Sequence, residues 1–218
     1  MRIIVGAGGH GRECLGVWRA ASRSAGVESP LRDEPIAFVD DRMPDREVLG
    51  RIDANWVGSL DTLREQEPGT PIRYLVGIGD GNVRESVVSK LPESWIAEQV
   101  VHPSACLDSD VRVCEGAVIF AQATVTTNIA VGRHVHIGRG SAVGHDSVLG
   151  DFSTIMPLAS ISGNVYIGKR STVGSGAVIR QGQYIGDDSY VGAGAVVVSD
   201  VADGTIVVGN PARVLRRR

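Results

Sequence analysis

Aromatic side chains are scarce in this chain of 218 residues, at 5% of the total, with three Phe, three Trp and four Tyr. Cysteine is scarcer still, and Cys14, Cys106 and Cys114 show neither CxxC spacing nor the density of a disulfide scaffold. That excludes a stapled secreted domain and reads as three reduced thiols used for packing. No apolar run approaches the roughly 18 residues of a membrane span, and the N-terminus MRIIVGAGGHGRE has no apolar segment of the signal-peptide kind, so a cytoplasmic protein is expected. Neither sign of charge dominates. With Lys+Arg 22 against Asp+Glu 25 and a net charge of −3, the chain lacks the positive excess of a nucleic-acid-binding protein.

What is abundant is glycine, 28 residues, in a chain that is 43% apolar. So much apolar side chain offsets the entropy of ordering, which rules against disorder and leaves a tightly wound repeat. The repeat is visible from Val101 onward. Every sixth residue is Val, Ile or Leu, through Leu107, Val113, Ile119 and on to Val197, with no insertion or slip. The next position is Gly at 132, 138, 144, 150, 168, 174, 186 and 192. Short β-branched segments broken every six residues predict a parallel β-solenoid with three hexads, 18 residues, per coil and about six coils over 101–202. A β-sandwich would need strand spacings of roughly 8–12 residues. The glycines suit a backbone that bends at each hexad and packs coil upon coil.

Ahead of the repeat, Arg2-Ile3-Ile4-Val5 reads as a strand running into Gly6-Ala7-Gly8-Gly9-His10-Gly11, with a helix from about Arg12. The spacing of Gly6, Gly8 and Gly11 is that of a turn whose backbone approaches a phosphate at a helix N-terminus. Ile36–Val39 reads as a second strand, ending at Asp40-Asp41, and Tyr74–Gly79 as a third, ending in another glycine turn. Residues 42–51 read as a surface loop. Three strand ends with glycine or acidic elements form the edge where open α/β sheets bind ligands. A complete dinucleotide-binding domain has two halves and only about 95 residues precede the solenoid. One half binding one nucleotide is therefore expected ahead of an NAD-dependent oxidoreductase or a purely structural turn. Residues 95–101 lead into the first coil as a strand without a flexible linker, giving a Rossmann-like nucleotide-sugar-binding domain at 1–98 and a β-helix domain with its tail at 99–218.

Among the five histidines, His145 falls at a corner of its hexad in Gly144-His145-Asp146. The 18-residue stacking rule puts Thr127 below it and Gly163 above it, so the ring has open space beside it. Asp146 stacks between Asn128 and Asn164. An imidazole next to a carboxylate suits general-base work, since the carboxylate holds the tautomer and stabilises the imidazolium. The alternative is an ordinary surface pair. His134 and His136 are expected at solvent-facing turn positions or bordering the acyl pocket, and His102 at the domain junction. Zinc shared by stacked histidines would need separations near 18 or 36. His102, His134, His136 and His145 differ by 32, 34, 43, 2, 11 and 9, so no metal is expected. Arg216-Arg217-Arg218 reads as a solvated tail.

The hexads IGRGSAVGHDSVLGDF, VYIGKRSTVGSGAVI and YIGDDSYVGAGAVV, with the tail Gly209-Asn210-Pro211-Ala212-Arg213, resemble the hexapeptide-repeat acyltransferases. The segments GHDSVLGDF and ISGNV, together with GAGGHG, the VDD strand end and the G-I-G-D turn, resemble the bacterial nucleotide-sugar 4-amino N-acetyltransferases and sialic acid O-acetyltransferases over essentially the whole chain. The resemblance implies a left-handed β-helix, a homotrimer with active sites between subunits, and acetyl-CoA as co-substrate. It also implies N-acetylation of a nucleotide-linked 4-amino-4,6-dideoxy sugar such as perosamine, carried by GDP, UDP or dTDP, with sugar O-acetylation as the alternative. A non-catalytic nucleotide-sugar-binding trimer is the further alternative. By resemblance His145 is the general base and Asp146 its support. Gly8, Gly9, His10, Asp40, Asp41 and Gly79 meet the nucleotide sugar, and Gly163, Ser175 and Ala193 meet acetyl-CoA. Two positions depart from the family pattern. Gly138 stands where members carry Asn near the thioester, and Thr154 where some carry a second histidine. Asn128 or a backbone N–H is the expected substitute donor.

Overall fold

The computed structural model describes residues 1–24, 34–65 and 71–217. Five short parallel strands form the first layer: β1 (Arg2–Val5), β2 (Ile36–Val39), β3 (Asn55–Trp56), β4 (Arg73–Val76) and β5 (Ile96–Ala97), in the order β3-β2-β1-β4-β5. The strand order reverses at β1. The crevice beside its carboxyl end is therefore the place where open α/β sheets take ligands. Helix α1 (Gly9–Ser24) starts three residues earlier than its pattern indicated, and it buries Cys14, Leu15, Val17 and Trp18. A Cβ on Gly11 would run into the Gly6 carbonyl, and one on Gly77 would lie 2.5 Å from Gly11 Cα. Helix and strands meet backbone to backbone there, which requires glycine on both sides.

Residues 42–51 are more ordered than a surface loop. Asp45 accepts from the N–H groups of Glu47 and Val48 and caps α2 (Arg46–Arg51), in which Leu49 is buried. A third helix, α3 (Leu60–Glu65), and a fourth, α4 (Gly81–Val88), complete the layer, the latter capped by Asp80. The segment 95–101 divides between the two halves of the molecule. β5 pairs with β4, and after a two-residue break Val100–Val101 pairs with Val118–Ile119 of the solenoid.

From Val100 the chain winds as a three-sided prism. One face is an eight-stranded sheet from Val100–Val101 to the C-terminal strands, the second a six-stranded sheet from Cys106–Leu107 to Val196–Val197, and the third a five-stranded sheet from Arg112–Val113 to Tyr184–Ile185. Register advances by 18 residues per coil, as in Thr124↔Ala142 and Val148↔Tyr166, and shortens to 16 in the last, Tyr190↔Ile206. The expected aliphatic column forms one continuous core, with Val101, Leu107 and Val113 partly buried at its open end. Arg213–Arg217 pairs antiparallel with Thr205–Val208, so the segment read as a solvated tail is a strand through Arg217. Arg218 and the side chains at 216 and 217 lie outside the described residues.

The bends are not at the glycines that follow the aliphatic column. They fall two residues later, at every sixth position from Gly116 through Asn128, His134, Gly140, Asp146 and Asn164 to Gly194, all with positive φ. The column glycines serve the stacking instead. A Cβ on Gly138 would lie 2.7 Å from the Pro157 nitrogen of the next coil, and one on Gly144 would lie 2.6 Å from the Gly163 nitrogen. Cys14 is buried as expected, whereas Cys106 and Cys114 are exposed and do no packing in the core.

Candidate active site

The second and third faces meet at an edge that carries His145. Its Nδ1 lies 2.7 Å from Asp146 Oδ2, and a carboxylate only accepts, so Nδ1–H donates, which in the neutral ring leaves Nε2 as the acceptor. Gly163 sits against the ring, where a Cβ would be 2.5 Å from Cε1 and 2.8 Å from Cδ2. The open space expected from the stacking rule is thus real, and it exists only because residue 163 has no side chain. Asn128, the expected substitute donor to the thioester, is committed elsewhere. Its Nδ2 donates to Asp146 Oδ1 at 2.6 Å. That bond first, and the His145 bond second, hold the Asp146 carboxyl below the usual carboxylate range.

The first and second faces meet at a different edge, where a cavity of about 210 Å³ opens between α1 and the solenoid. His10, His136, Gly138, Thr154, Met156 and Ser175 are among its walls. Both positions at which the sequence departs from its relatives' pattern therefore face one space. Thr154 is used at the domain seam, with its hydroxyl donating to Gly79 O at 2.8 Å. His136, in register one coil below, brings an imidazole to the same wall. His10 Nε2 lies 2.7 Å from His136 Nδ1. His136 Nε2 is buried without a partner. A stranded lone pair costs less than a stranded N–H, so His136 Nδ1–H donates and His10 accepts.

The reading of His134 and His136 as solvent-facing is overturned. They are 2% and 1% exposed, because the α/β layer docks on the first face and covers the outward positions of its early coils. His134 stacks on Phe152, with ring centres 5.2 Å apart. His136 does border the pocket. Burial, then the nearby Arg84 guanidinium, lowers His10 and His134 to about 4 and His136 well below its ordinary value.

Arg84 itself was not singled out by any sequence signal. It is 0% exposed. Its guanidinium donates to His134 O (2.9 Å), Ile78 O (2.6 Å) and Phe152 O (2.7 Å), and further to Gly79 O, Ser153 O and Thr154 Oγ1. One buried cation thus bolts the Gly79 turn to two coils of the solenoid. His10, Cys14 and His136 are the one His/Cys/Asp/Glu trio among the described residues with ligand atoms within 4.8 Å of one another. Their chemistry opposes a cation, since burial pushes the Cys14 thiol up to about 12 and Arg84 already places a positive charge beside them.

The other predicted contacts divide by place. Gly8 and Gly9 are exposed at the start of α1, in the β1 crevice. Asp40 Oδ2 accepts from Ala7 N at 2.8 Å and its Oδ1 from Arg42 N, so it shapes the glycine turn, while Asp41 is exposed beside it. Gly79 lies by His10 at the cavity end of the crevice. Ser175 and its stacking partner Ala193 lie on the cavity edge. Gly163 lies on the His145 edge. The structure therefore brings the nucleotide and cavity residues together, and keeps them apart from the dyad. One side of the prism spans six residues, at most about 20 Å.

A nucleotide-type α/β layer docked on a three-sided hexapeptide solenoid, with an imidazole–carboxylate pair on one edge, defines a hexapeptide-repeat transferase. The model of the PglD N-terminal domain matches residues 3–91, and that of the bacterial transferase hexapeptide (six repeats) matches 146–181. The chain is 30% identical over 174 residues to GDP-perosamine N-acetyltransferase of Escherichia coli O157:H7, covering 76% of this chain and 74% of that one. It superposes on the acetyltransferase domain of PglB from Neisseria gonorrhoeae with a TM-score of 0.85 at 29% identity, covering 98% of each chain. PerB from Caulobacter crescentus, solved with CoA and GDP-perosamine, gives a TM-score of 0.83 at 31% identity, covering 99% of this chain and 97% of that one. The chain belongs to the family of hexapeptide-repeat acetyltransferases that carry a PglD-type N-terminal domain, and it has their left-handed β-helix fold. Among the described residues no helix is long and apolar enough to cross a membrane.

Proposed function

We propose that this enzyme transfers the acetyl group of acetyl-CoA to the amino group of a nucleotide-linked 4-amino-4,6-dideoxy sugar, with GDP-perosamine as the first substrate to test. The observation that carries the mechanism is the His145 ring, with Nδ1 2.7 Å from Asp146 Oδ2 and Nε2 packed over Gly163. The sugar amine attacks the thioester carbonyl carbon and His145 Nε2 takes its proton. Asp146 stabilises the imidazolium, and the Gly163 N–H is the donor we assign to the oxyanion. The C–S bond then breaks and the proton passes to the leaving sulfur, giving the acetamido sugar and CoA-SH. Among the described residues neither a serine nor a cysteine makes an activated pair with His145, which favours direct transfer.

Residues 1–98 hold the nucleotide sugar in this reading, through Gly8, Gly9, His10, Asp40, Asp41 and Gly79. Residues 99–218 hold acetyl-CoA through Gly163, Ser175 and Ala193. Because dyad and cavity lie on different edges, a second copy must bring its His145 edge to the cavity edge; a closed ring pairs these two edges of every chain once, and the family resemblance sets the ring at three. We therefore assign a homotrimer with three sites, each shared by two subunits.

A thiol-release assay with acetyl-CoA and the GDP-, UDP- and dTDP-linked amino sugars, with sialic acid as the hydroxyl control, tests the reaction. Turnover on a nucleotide-linked amine is expected. Turnover on sialic acid alone reassigns the chain to O-acetylation, and binding without CoA release reassigns it to a carrier. His145→Ala and His145→Asn lower kcat by about two to four orders of magnitude. Near-wild-type turnover in both refutes the base assignment.

A further inference from the structure

The edge that carries the dyad is a column with one polar partner per coil: Asp110, Asn128, Asp146 and Asn164, at steps of 18. Asp146 divides its two oxygens, Oδ2 to the His145 ring and Oδ1 to the Asn128 amide at 2.6 Å. The amide nitrogen must face Asp146, because a carboxylate offers no proton for the amide oxygen to accept. Asn128 is in turn seated from the coil below. Asp110 Oδ2 accepts from the Asn128 backbone N–H at 3.0 Å and from Thr127 Oγ1 at 2.6 Å.

Asp146 is half exposed, with 50% of its side chain in solvent, so one bond to a histidine leaves its χ angles free. The second bond from Asn128 removes that freedom and fixes the carboxylate under His145 Nδ1. Backbone conformation alone would be satisfied by other residues, since the 128 position has φ +56 and accepts Gly or Asp as readily. We infer that Asn128 is a positioning residue for the His145–Asp146 pair, acting through Asp146 and anchored by Asp110. The inference rests on the general-base reading of His145.

The charged and titratable groups along this edge are Asp108 and Asp110 one coil below Asn128, His145 and Asp146 one coil above it, and Arg180 two coils above His145. The intervening Gly163 and Asn164 carry no charge. Two substitutions at 128 then separate positioning from folding. Asn128→Gly keeps the left-handed backbone and deletes the amide, while Asn128→Asp keeps the shape and puts a second carboxylate beside Asp146.

The expected result is a roughly tenfold drop in kcat for Asn128→Gly, with sugar and acetyl-CoA KM values unchanged. The acidic limb of its kcat/KM profile moves to lower pH, because the imidazolium loses its fixed counter-ion. In Asn128→Asp the same limb moves to higher pH by about half a unit, the effect of one more negative charge a few ångströms from the ring in high dielectric. A residue needed only for folding would lower the thermal midpoint and the amount of active enzyme and leave the limb where it is. Shifts of opposite direction support the inference, and profiles that overlay the wild type in both variants overturn it. His145→Ala, assayed alongside, keeps the two readings apart. If that variant turns over normally, the base assignment has failed. If it is inactive while both 128 profiles overlay the wild type, only the role of Asn128 has failed.

Discussion

The two edges of the solenoid that bear on chemistry are built to opposite rules. The His145 edge is open to solvent and polar, and its shape comes from side chains that bond from one coil to the next. The cavity edge is roofed by α1, with His136 buried and His10 partly so, and both are held neutral beside the buried cation Arg84. The lesson is one of division. In the proposed reading the base is a solvated imidazole with a carboxylate at hand, whereas the amine meets two histidines kept neutral by burial and by Arg84, beside a wall that carries the Glu13–Arg139 ion pair. One chain supplies each environment on a separate edge.

Breaking either edge alone gives distinct signatures. The largest effect is expected from Gly163→Ala, whose new Cβ would occupy the space of the His145 ring. Steady-state kinetics should show kcat down by about two orders of magnitude with sugar KM little changed, since the cavity edge is untouched. Arg84→Met attacks the other side. It strands several buried carbonyls at the seam, and denaturant unfolding should show about 3–5 kcal/mol lost, with sugar KM raised more than kcat is lowered.

A smaller effect separates the edges by pH. The folded state holds His10 and His134 at about 4 and His136 well below its ordinary value, while the unfolded chain titrates them near 6.5. The unfolded state then binds more protons below about pH 6.5, so stability is full above that value and falls as pH drops toward 4. Calorimetry across this window should show a declining midpoint, and His136→Gln should flatten the decline. An equal slope in wild type and variant would mean that the buried histidines do not set it.

Much of the solenoid is legible in the sequence because one local rule, an aliphatic residue every six, is also the rule of the core. The dyad is legible for the same reason, since stacking at 18 residues predicts its neighbours by arithmetic. The bend was misplaced by two residues because glycine is used here for close stacking, while the left-handed positions take Asn, Asp, His and even Phe152 and Leu158. His134 and His136 were misread because a hexad cannot tell an outward side chain in water from one under a docked domain. Arg84 was invisible for a related reason. Its partners are backbone carbonyls of Phe152 and Ser153, 68 and 69 residues away, and carbonyls carry no sequence.

The central claim, that each site joins the His145 edge of one chain to the cavity edge of another, is open to a mixing experiment. His145→Ala disables the first edge, and Ser175→Trp fills the mouth of the cavity on the second without touching the core. Each variant alone should be inactive. In the trimer we propose, coexpression in equal amounts gives mixed rings in which one interface in about four pairs an intact His145 edge with an intact cavity edge, so about a quarter of the wild-type rate should return. If both groups act within one chain, every chain carries a defect and the mixed trimers stay inactive.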